Sequence, residues 1–209
     1  DGTAPRPGAS GRATLLRVAA FGLAFGVLSS ALNHVGGLVA VYASKTVDTA
    51  WAWLFVAFLA SVTGKGWGAF VRSIGLLTPA VIGYYASDTL FGTYGPADDL
   101  RWLILAADVV VYLVLSVLVS AGLALLNIGI RSRGVIGILA SVVVPGYIAS
   151  DALTLYVHLV KESWADPYLV RVSLAVGLSA AVGSLVLVLV RTRVWLRSQK
   201  LPVYRPRSY

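Results

Sequence analysis

The sequence predicts an all-α fold, a polytopic bundle of six transmembrane helices with both termini on the cytoplasmic side. Hydrophobic residues make up 58% of the chain and charged residues only 12%, about half the charge fraction of a soluble domain. Several uninterrupted apolar stretches reach the roughly 20 residues needed to cross a bilayer. Their length excludes the alternating strands of about ten residues that build a transmembrane barrel. Basic residues also cluster at alternate connections between these stretches.

Clusters of Gly, Pro and charged residues, such as TGKGWG and KESWADP, separate the predicted helices. The helices are predicted at residues 14–32, 47–63, 67–90, 102–128, 134–160 and 168–190. The stretch 33–46 is short and broken by Gly, so we expect a re-entrant or interfacial segment there. The chain therefore divides into a cytoplasmic segment (1–13), a transmembrane domain (14–190) and a basic cytoplasmic tail (191–209).

The charge distribution predicts the orientation. With the N terminus inside, the inner segments hold thirteen of the seventeen basic residues: Arg6, Arg12, Arg17, Lys65, Arg72, Arg131, Arg133, Arg191, Arg193, Arg197, Lys200, Arg205 and Arg207. The outer loops hold the other four, beside most of the acidic residues. This asymmetry is the positive-inside pattern, and it predicts a multi-pass protein of the plasma (inner) membrane. We expect residues to precede Asp1, because the chain lacks Met, but not a conventional cleaved signal peptide.

One polar phrase occurs twice, as YYASDTL and YIASDAL, at the outer ends of the third and fifth predicted helices. In each copy Tyr and Asp are four residues apart, which places them on one helix face. We therefore predict that Tyr84, Asp88, Tyr147 and Asp151 line a shared outer cavity, with the carboxylates within about 12 Å of each other. Alternatively, each phrase is only the end of a helix at the membrane surface, with its Asp facing water.

Two further residues complete the candidate binding site. Tyr85 follows Tyr84, and Asp108 is an acid inside the fourth predicted helix, where it should face the bundle interior or a wet cavity, unless it lies within a turn of the interface and simply reaches water. The candidate binding residues are therefore Tyr84, Tyr85, Asp88, Asp108, Tyr147 and Asp151. A cation site that adds His34 and His158 to the two phrases is an alternative, but no close ligand spacing supports it, so no metal site is predicted.

Small residues recur at four-residue spacing in two predicted helices. Gly22 and Gly26 form a GxxxG pattern in the first, and Ala175, Ser179 and Gly183 form a stripe in the last. We expect both sets to allow close helix packing inside the bundle, and a dimer seam is the alternative.

The chemistry that the chain can perform is narrowed by what it lacks. The absence of Cys excludes disulfides, thiolate catalysis and thiolate metal sites. No common catalytic or nucleotide-binding motif occurs, so we predict no catalytic residue and no cofactor, and an enzyme is not favoured. Attraction to anionic lipid headgroups is sufficient to explain the basic tail, and no nucleic-acid partner is predicted.

The segment AWAWLFVAFLAS…WGAF…VIGYYASD resembles a family of uncharacterised six-span membrane proteins from actinobacteria. That family has a Trp-containing second span, a Gly-rich inner turn and a Tyr-Tyr pair in the third span. The corresponding residues here are Trp51, Trp53, Gly64, Gly66, Gly68, Tyr84 and Tyr85. The resemblance covers residues 14–155 and implies a layout without an activity.

The architecture is also similar to the substrate-binding subunits of energy-coupling-factor vitamin transporters. Those subunits have six spans, inner termini, an outer binding cavity and small residues in the first helix, here Ala20 and Ala24. We therefore predict a small-molecule binding or transport component with an outward-facing polar cavity. The alternative is a structural or accessory subunit that packs against partner subunits in a larger membrane complex. A polar outer cavity favours the first role and a solidly packed bundle the second.

Overall fold

The computed structural model describes residues 9–93, 99–162 and 164–200. These residues form seven helices and no strand, which confirms the all-α prediction. The helices are α1 (Ala9–His34), α2 (Leu38–Val47), α3 (Ala50–Val62), α4 (Trp67–Leu90), α5 (Asp99–Arg131), α6 (Val135–Val160) and α7 (Pro167–Lys200). Several residues that enter the predicted charge asymmetry lie outside the described residues: Arg6, Asp98, Arg205 and Arg207.

Five of the described helices, α1, α4, α5, α6 and α7, are long and apolar enough to cross a membrane. Helices α2 and α3 meet this criterion only as a pair, and their axes bend by 63° at the break between them. The predicted interfacial stretch thus holds nine of the ten residues of α2, and the predicted second span is largely α3. At 1.5 Å per residue the 13 residues of α3 extend about 20 Å, short of the roughly 30 Å hydrocarbon core.

Helix α3 packs against α4, α5 and α6, whereas α2 joins α1 to α7. The remaining helices pack as successive neighbours, α1 on α4, α4 on α5, α5 on α6 and α6 on α7. The α1–α2, α4–α5 and α6–α7 connections lie at one end of the bundle. We call this the outer end because the charge distribution predicts that it faces away from the cytoplasm.

Glycines set the closest helix approach, which is between α1 and α4. A Cβ atom on Gly22 or Gly26 would overlap the backbone carbonyl of Leu76 or Ala80. From the other side, a Cβ on Gly83 would lie 2.6 Å from the Leu23 carbonyl oxygen. The prediction that the GxxxG pattern packs inside the bundle is confirmed.

The predicted packing stripe on α7 is wrong. Ala175 and Ser179 are exposed, and a Cβ on Gly183 would meet no atom within 4 Å. The close approach is instead at Gly177, where a Cβ would lie 2.7 Å from Leu153 Cγ on α6. At 100° per residue the stripe is rotated by about 200° from Gly177, so it lies on the opposite face.

Candidate functional site

A cavity of about 730 Å³ lies between α3, α4, α5 and α6. Its wall is mostly apolar, with polar groups concentrated towards the outer end. The lining residues that the following paragraphs use are Asp48, Thr49, Trp53, Tyr84, Tyr85, Tyr112, Leu115, Val119, Leu123, Leu126, Val143 and Tyr147. Three predicted site residues are therefore in the wall, Tyr84, Tyr85 and Tyr147.

Helices α5 and α6 are close to each other near their inner ends and are separated by the cavity further outwards. Near their inner ends a Cβ on Gly129 would lie 2.9 Å from the Ala140 Cβ, so the backbones are close there. Towards the outer end the cavity lies between them, lined by Tyr112 on α5 and Tyr147 on α6. These tyrosines are 50% and 52% exposed, so the cavity wall reaches the surface of the bundle between the two helices.

Aromatic side chains form a continuous wall in the outer half of the cavity. The ring of Tyr84 lies 5.9 Å from Trp53 and 5.4 Å from Tyr85, both edge to face. Tyr85 continues the series to Tyr112 at 5.9 Å. Edge-to-face pairs at these distances are favourable and hold each ring in a defined orientation. The outer half of the cavity therefore has an ordered aromatic wall.

The polar outer end of the cavity is built at the break between α2 and α3. Asp48 ends α2, and the extended backbone of Thr49 (ψ 152°) starts α3 in a new direction. Asn33 Nδ2 donates to Asp48 Oδ2 at 3.1 Å and lies 3.4 Å from the Tyr84 hydroxyl. The Ser44 hydroxyl donates to Asn33 Oδ1. Helix α1 therefore supplies the amide that orients the Asp48 carboxylate.

Asp48 is the site residue that sequence reasoning missed, because it was counted only as an outer-loop charge. The sequence did contain an indication of its role, since Asp48 is an acidic residue that lies one residue inside the predicted second span. The rule that selected Asp108, an acid within an apolar segment, applies equally to Asp48.

Asp88 does not line the cavity; it joins α4 to α1. It is only 6% exposed, and its Oδ1 accepts a hydrogen bond of 2.8 Å from the fully buried Ser30 hydroxyl. His34 Nε2 lies 3.2 Å from the same oxygen, and the imidazole ring stacks on Phe91 at 4.4 Å. Asp88 thus faces a neighbouring helix rather than bulk water.

Asp151 has a different partner, on α3. Its Oδ2 accepts a 2.6 Å hydrogen bond from the indole N–H of Trp51, a side chain that is only 4% exposed. In both copies of the repeated phrase, the Tyr and the Asp therefore have different surroundings. The structure brings Tyr84 and Tyr147 to one cavity, whereas Asp88 and Asp151 hold two different neighbouring helices.

The remaining candidates stand apart from the cavity. Asp108 is partly exposed on α5 and has no hydrogen-bonding partner among the described residues. His158 contacts Glu162, one turn further along, at 3.3 Å. Across residues 9–93, 99–162 and 164–200, no three His, Cys, Asp or Glu side chains lie close enough to hold a metal ion.

Polar contacts also attach α2 to the start of α7. Lys45 Nζ lies 3.0 Å from Asp166 Oδ2, and Arg171 donates to the Tyr42 hydroxyl at 2.9 Å. Partial burial raises the pKa of Asp166, but hydrogen bonds from Lys45 and the backbone of Tyr168 outweigh it and hold the pKa below its ordinary value. Lys45 is therefore engaged at the outer surface rather than at the cavity.

Fold and site together define the class: an α-helical integral membrane protein with several membrane-spanning helices and an aromatic-walled cavity among them. Comparison of the chain with protein-family models, curated proteins and solved structures gives no match.

Proposed function

We propose that this protein is a small-molecule binding or transport component, and that its ligand occupies the cavity between α3, α4, α5 and α6. The observation that carries the proposal is the cavity itself. Its volume of about 730 Å³ lies within the roughly 300–1,000 Å³ of ligand sites, which combine mostly apolar walls with a few placed polar groups. Here Asp48, Tyr84 and Tyr112 provide such groups.

A membrane orientation is part of the proposal: six spans, with α2 and α3 crossing as one broken span and both termini cytoplasmic. At the inner end Arg131 donates to the carbonyls of Val62 and Gly64, and Arg72 donates to that of Thr63. These arginines cap the C terminus of α3, so the basic residues have a structural role there as well. In the same orientation Arg193 and Arg197 of α7 lie near anionic headgroups of the inner leaflet.

The orientation predicts a labelling pattern that is simple to measure, because the chain contains no Cys. With Cys at Thr46 in α2, a membrane-impermeant maleimide should label intact cells. With Cys at Ser132, in the α5–α6 turn, labelling should require permeabilisation. Labelling of both positions from outside would contradict six spans.

The cavity predicts a co-purifying small molecule. Val119→Trp places a large ring in the wall of the cavity and should lower ligand occupancy, measured by native mass spectrometry, at least about tenfold. Leu118→Trp is the matched control, since Leu118 is the adjacent residue, is 62% exposed and does not line the cavity. Its occupancy should equal that of the wild type. Equal occupancy in both variants would contradict a ligand site here.

The accessory-subunit role is a second candidate, and the face of α7 that carries the exposed Ala175 and Ser179 and the half-buried Gly183 favours it. Small residues on a lipid-facing surface let another transmembrane helix approach closely. The same mass spectrometry separates the two roles. A polypeptide partner in place of a small molecule, lost in Gly183→Leu, would establish the accessory role.

A further inference from the structure

The outer end of the cavity holds a carboxylate without a cationic partner. Asp48 is exposed, and the two side chains that hydrogen-bond its carboxylate, the Asn33 amide and the Tyr84 hydroxyl, are both uncharged. Lys45, three positions earlier on α2, is paired with Asp166 instead. Among the described residues no salt bridge reaches Asp48, and no Lys, Arg or His lines the cavity. The cavity therefore has a negatively charged outer end and no positive charge to balance it.

Aromatic side chains lie beside this carboxylate, and Tyr84 meets it with its hydroxyl group. The rings of Trp53 and Tyr84 are 5.9 Å apart, and both line the cavity with Asp48. Aromatic faces attract a cation through the ring quadrupole, and ammonium groups are recognised in this way in many proteins. A carboxylate with adjacent aromatic rings is thus a suitable environment for an ammonium group and an unfavourable one for an anion.

The rest of the cavity is suited to a hydrocarbon chain. Its α5 wall runs from Tyr112 to Leu126 and includes Leu115, Val119 and Leu123. The 14 helical steps from Tyr112 to Leu126 extend about 21 Å, more than the roughly 15 Å thickness of one hydrocarbon leaflet. The apolar part is therefore long enough for a full-length acyl or alkyl chain.

The surface opening lies where a lipid would enter. Tyr112 and Leu115 on α5, and Val143 and Tyr147 on α6, line the cavity and are all between 44% and 52% exposed. These residues lie near the middle of the candidate spans Arg101–Arg131 and Val135–Val160, so in the proposed orientation the surface to which they are exposed faces the bilayer. A molecule in the bilayer can thus reach the cavity sideways, between α5 and α6.

From these observations we propose that the ligand is a single-chain cationic amphiphile that enters sideways from the bilayer, between α5 and α6. Its amine or ammonium head binds Asp48 between Trp53 and Tyr84, and its chain lies along α5 towards Leu126. This inference rests on the proposed function and names its ligand class. A charge-assisted hydrogen bond from the head to Asp48 provides the selectivity, and chain burial provides most of the affinity.

The test uses full-length protein in phosphatidylcholine nanodiscs and two photoreactive probes. One probe is hexadecylamine with a diazirine near the chain end, and the other is hexadecanoic acid with the same diazirine. After illumination, peptide mass spectrometry locates the label. The amine should label residues 119–126 of α5 saturably, at a concentration at least about tenfold lower than the acid. This comparison on the wild type requires no substitution.

Two matched substitutions then test the head group. Asp48→Asn keeps an acceptor for Asn33 but removes the charge, and should raise the half-saturating amine concentration at least about tenfold. Glu162→Gln removes one negative charge from the outer surface, where Glu162 contacts His158 and does not line the cavity, and should change that concentration less than about twofold. Thermal unfolding of both variants should match that of the wild type.

Two results would overturn the inference. Equal labelling by the amine and the acid, or an amine preference that survives Asp48→Asn, would exclude the cationic head while leaving the cavity as a small-molecule site. Unsaturable labelling at outward-facing positions such as Leu118 would exclude an amphiphile. The proposed function fails by a separate result, equal ligand occupancy in Val119→Trp and Leu118→Trp.

Discussion

Gly26→Leu is expected to destroy the pairing of α1 with α4 and to cost at least about 3 kcal/mol of unfolding free energy. Any Cβ at this position overlaps the Ala80 carbonyl, which is backbone and cannot rotate away. The helices would have to separate, and the contacts at Gly22 and Gly83 would be lost with them. The measurement is thermal unfolding of the purified variant in detergent, monitored through tryptophan fluorescence.

The control for this prediction is Gly75→Leu on α4. A Cβ on Gly75 meets no atom within 4 Å, so the change should be neutral or slightly stabilising, since Leu is the better helix former. A similar loss of stability in both variants would show that glycine flexibility, and not the close approach of α1 and α4, is what the bundle requires.

Asp88→Ala should destabilise the protein by about 2 kcal/mol, because it leaves the buried Ser30 hydroxyl and the His34 imidazole without their shared acceptor. Asp88→Asn retains an acceptor oxygen for Ser30 and should cost less than about 1 kcal/mol. Thermal unfolding of the two variants measures the difference. We therefore expect the packing of α1 on α4 to depend on a hydrogen-bond acceptor at residue 88 more than on the charge of that residue.

Asp151→Ala is the comparison within the repeated phrase. Asp151 is exposed and accepts one hydrogen bond, from Trp51, so its loss should cost about 1 kcal/mol. An equal cost at both positions would contradict the distinct roles that the structure shows. Near-silent changes at both would favour the alternative reading of the phrase as two similar helix ends at the membrane surface.

The helices themselves were predictable from the sequence. The predicted helix 67–90 coincides with α4, and the predicted helix 134–160 differs from α6 by one residue. In a bilayer every backbone group must be hydrogen-bonded within the segment, so length and apolarity alone decide where such helices lie. The prediction stopped short at the inner ends of α1 and α7, because hydropathy marks the lipid-crossing part of a helix and not its polar extension.

The candidate site was predictable only in part. Four-residue spacing places Tyr84 and Asp88 on one face, as it does Tyr147 and Asp151, and apolar surroundings mark all four as unusual. Spacing does not say which helix will be opposite that face. Only the packing directs the tyrosines to the cavity and the carboxylates to Ser30 and Trp51.

The sequence by itself therefore determined which segments are helical and apolar, because lipid leaves the backbone no other solution. The tertiary structure decided which faces meet. It turned the Ala175 stripe outwards and brought Asp48 to the cavity through the break between α2 and α3. The physical reason is that helices in lipid are apolar on every side, so hydrophobicity does not distinguish a buried face from a lipid-facing one. Which face of a helix is buried is decided by close backbone approaches, such as that of Gly26 to Ala80, and by hydrogen bonds, such as that of Ser30 to Asp88.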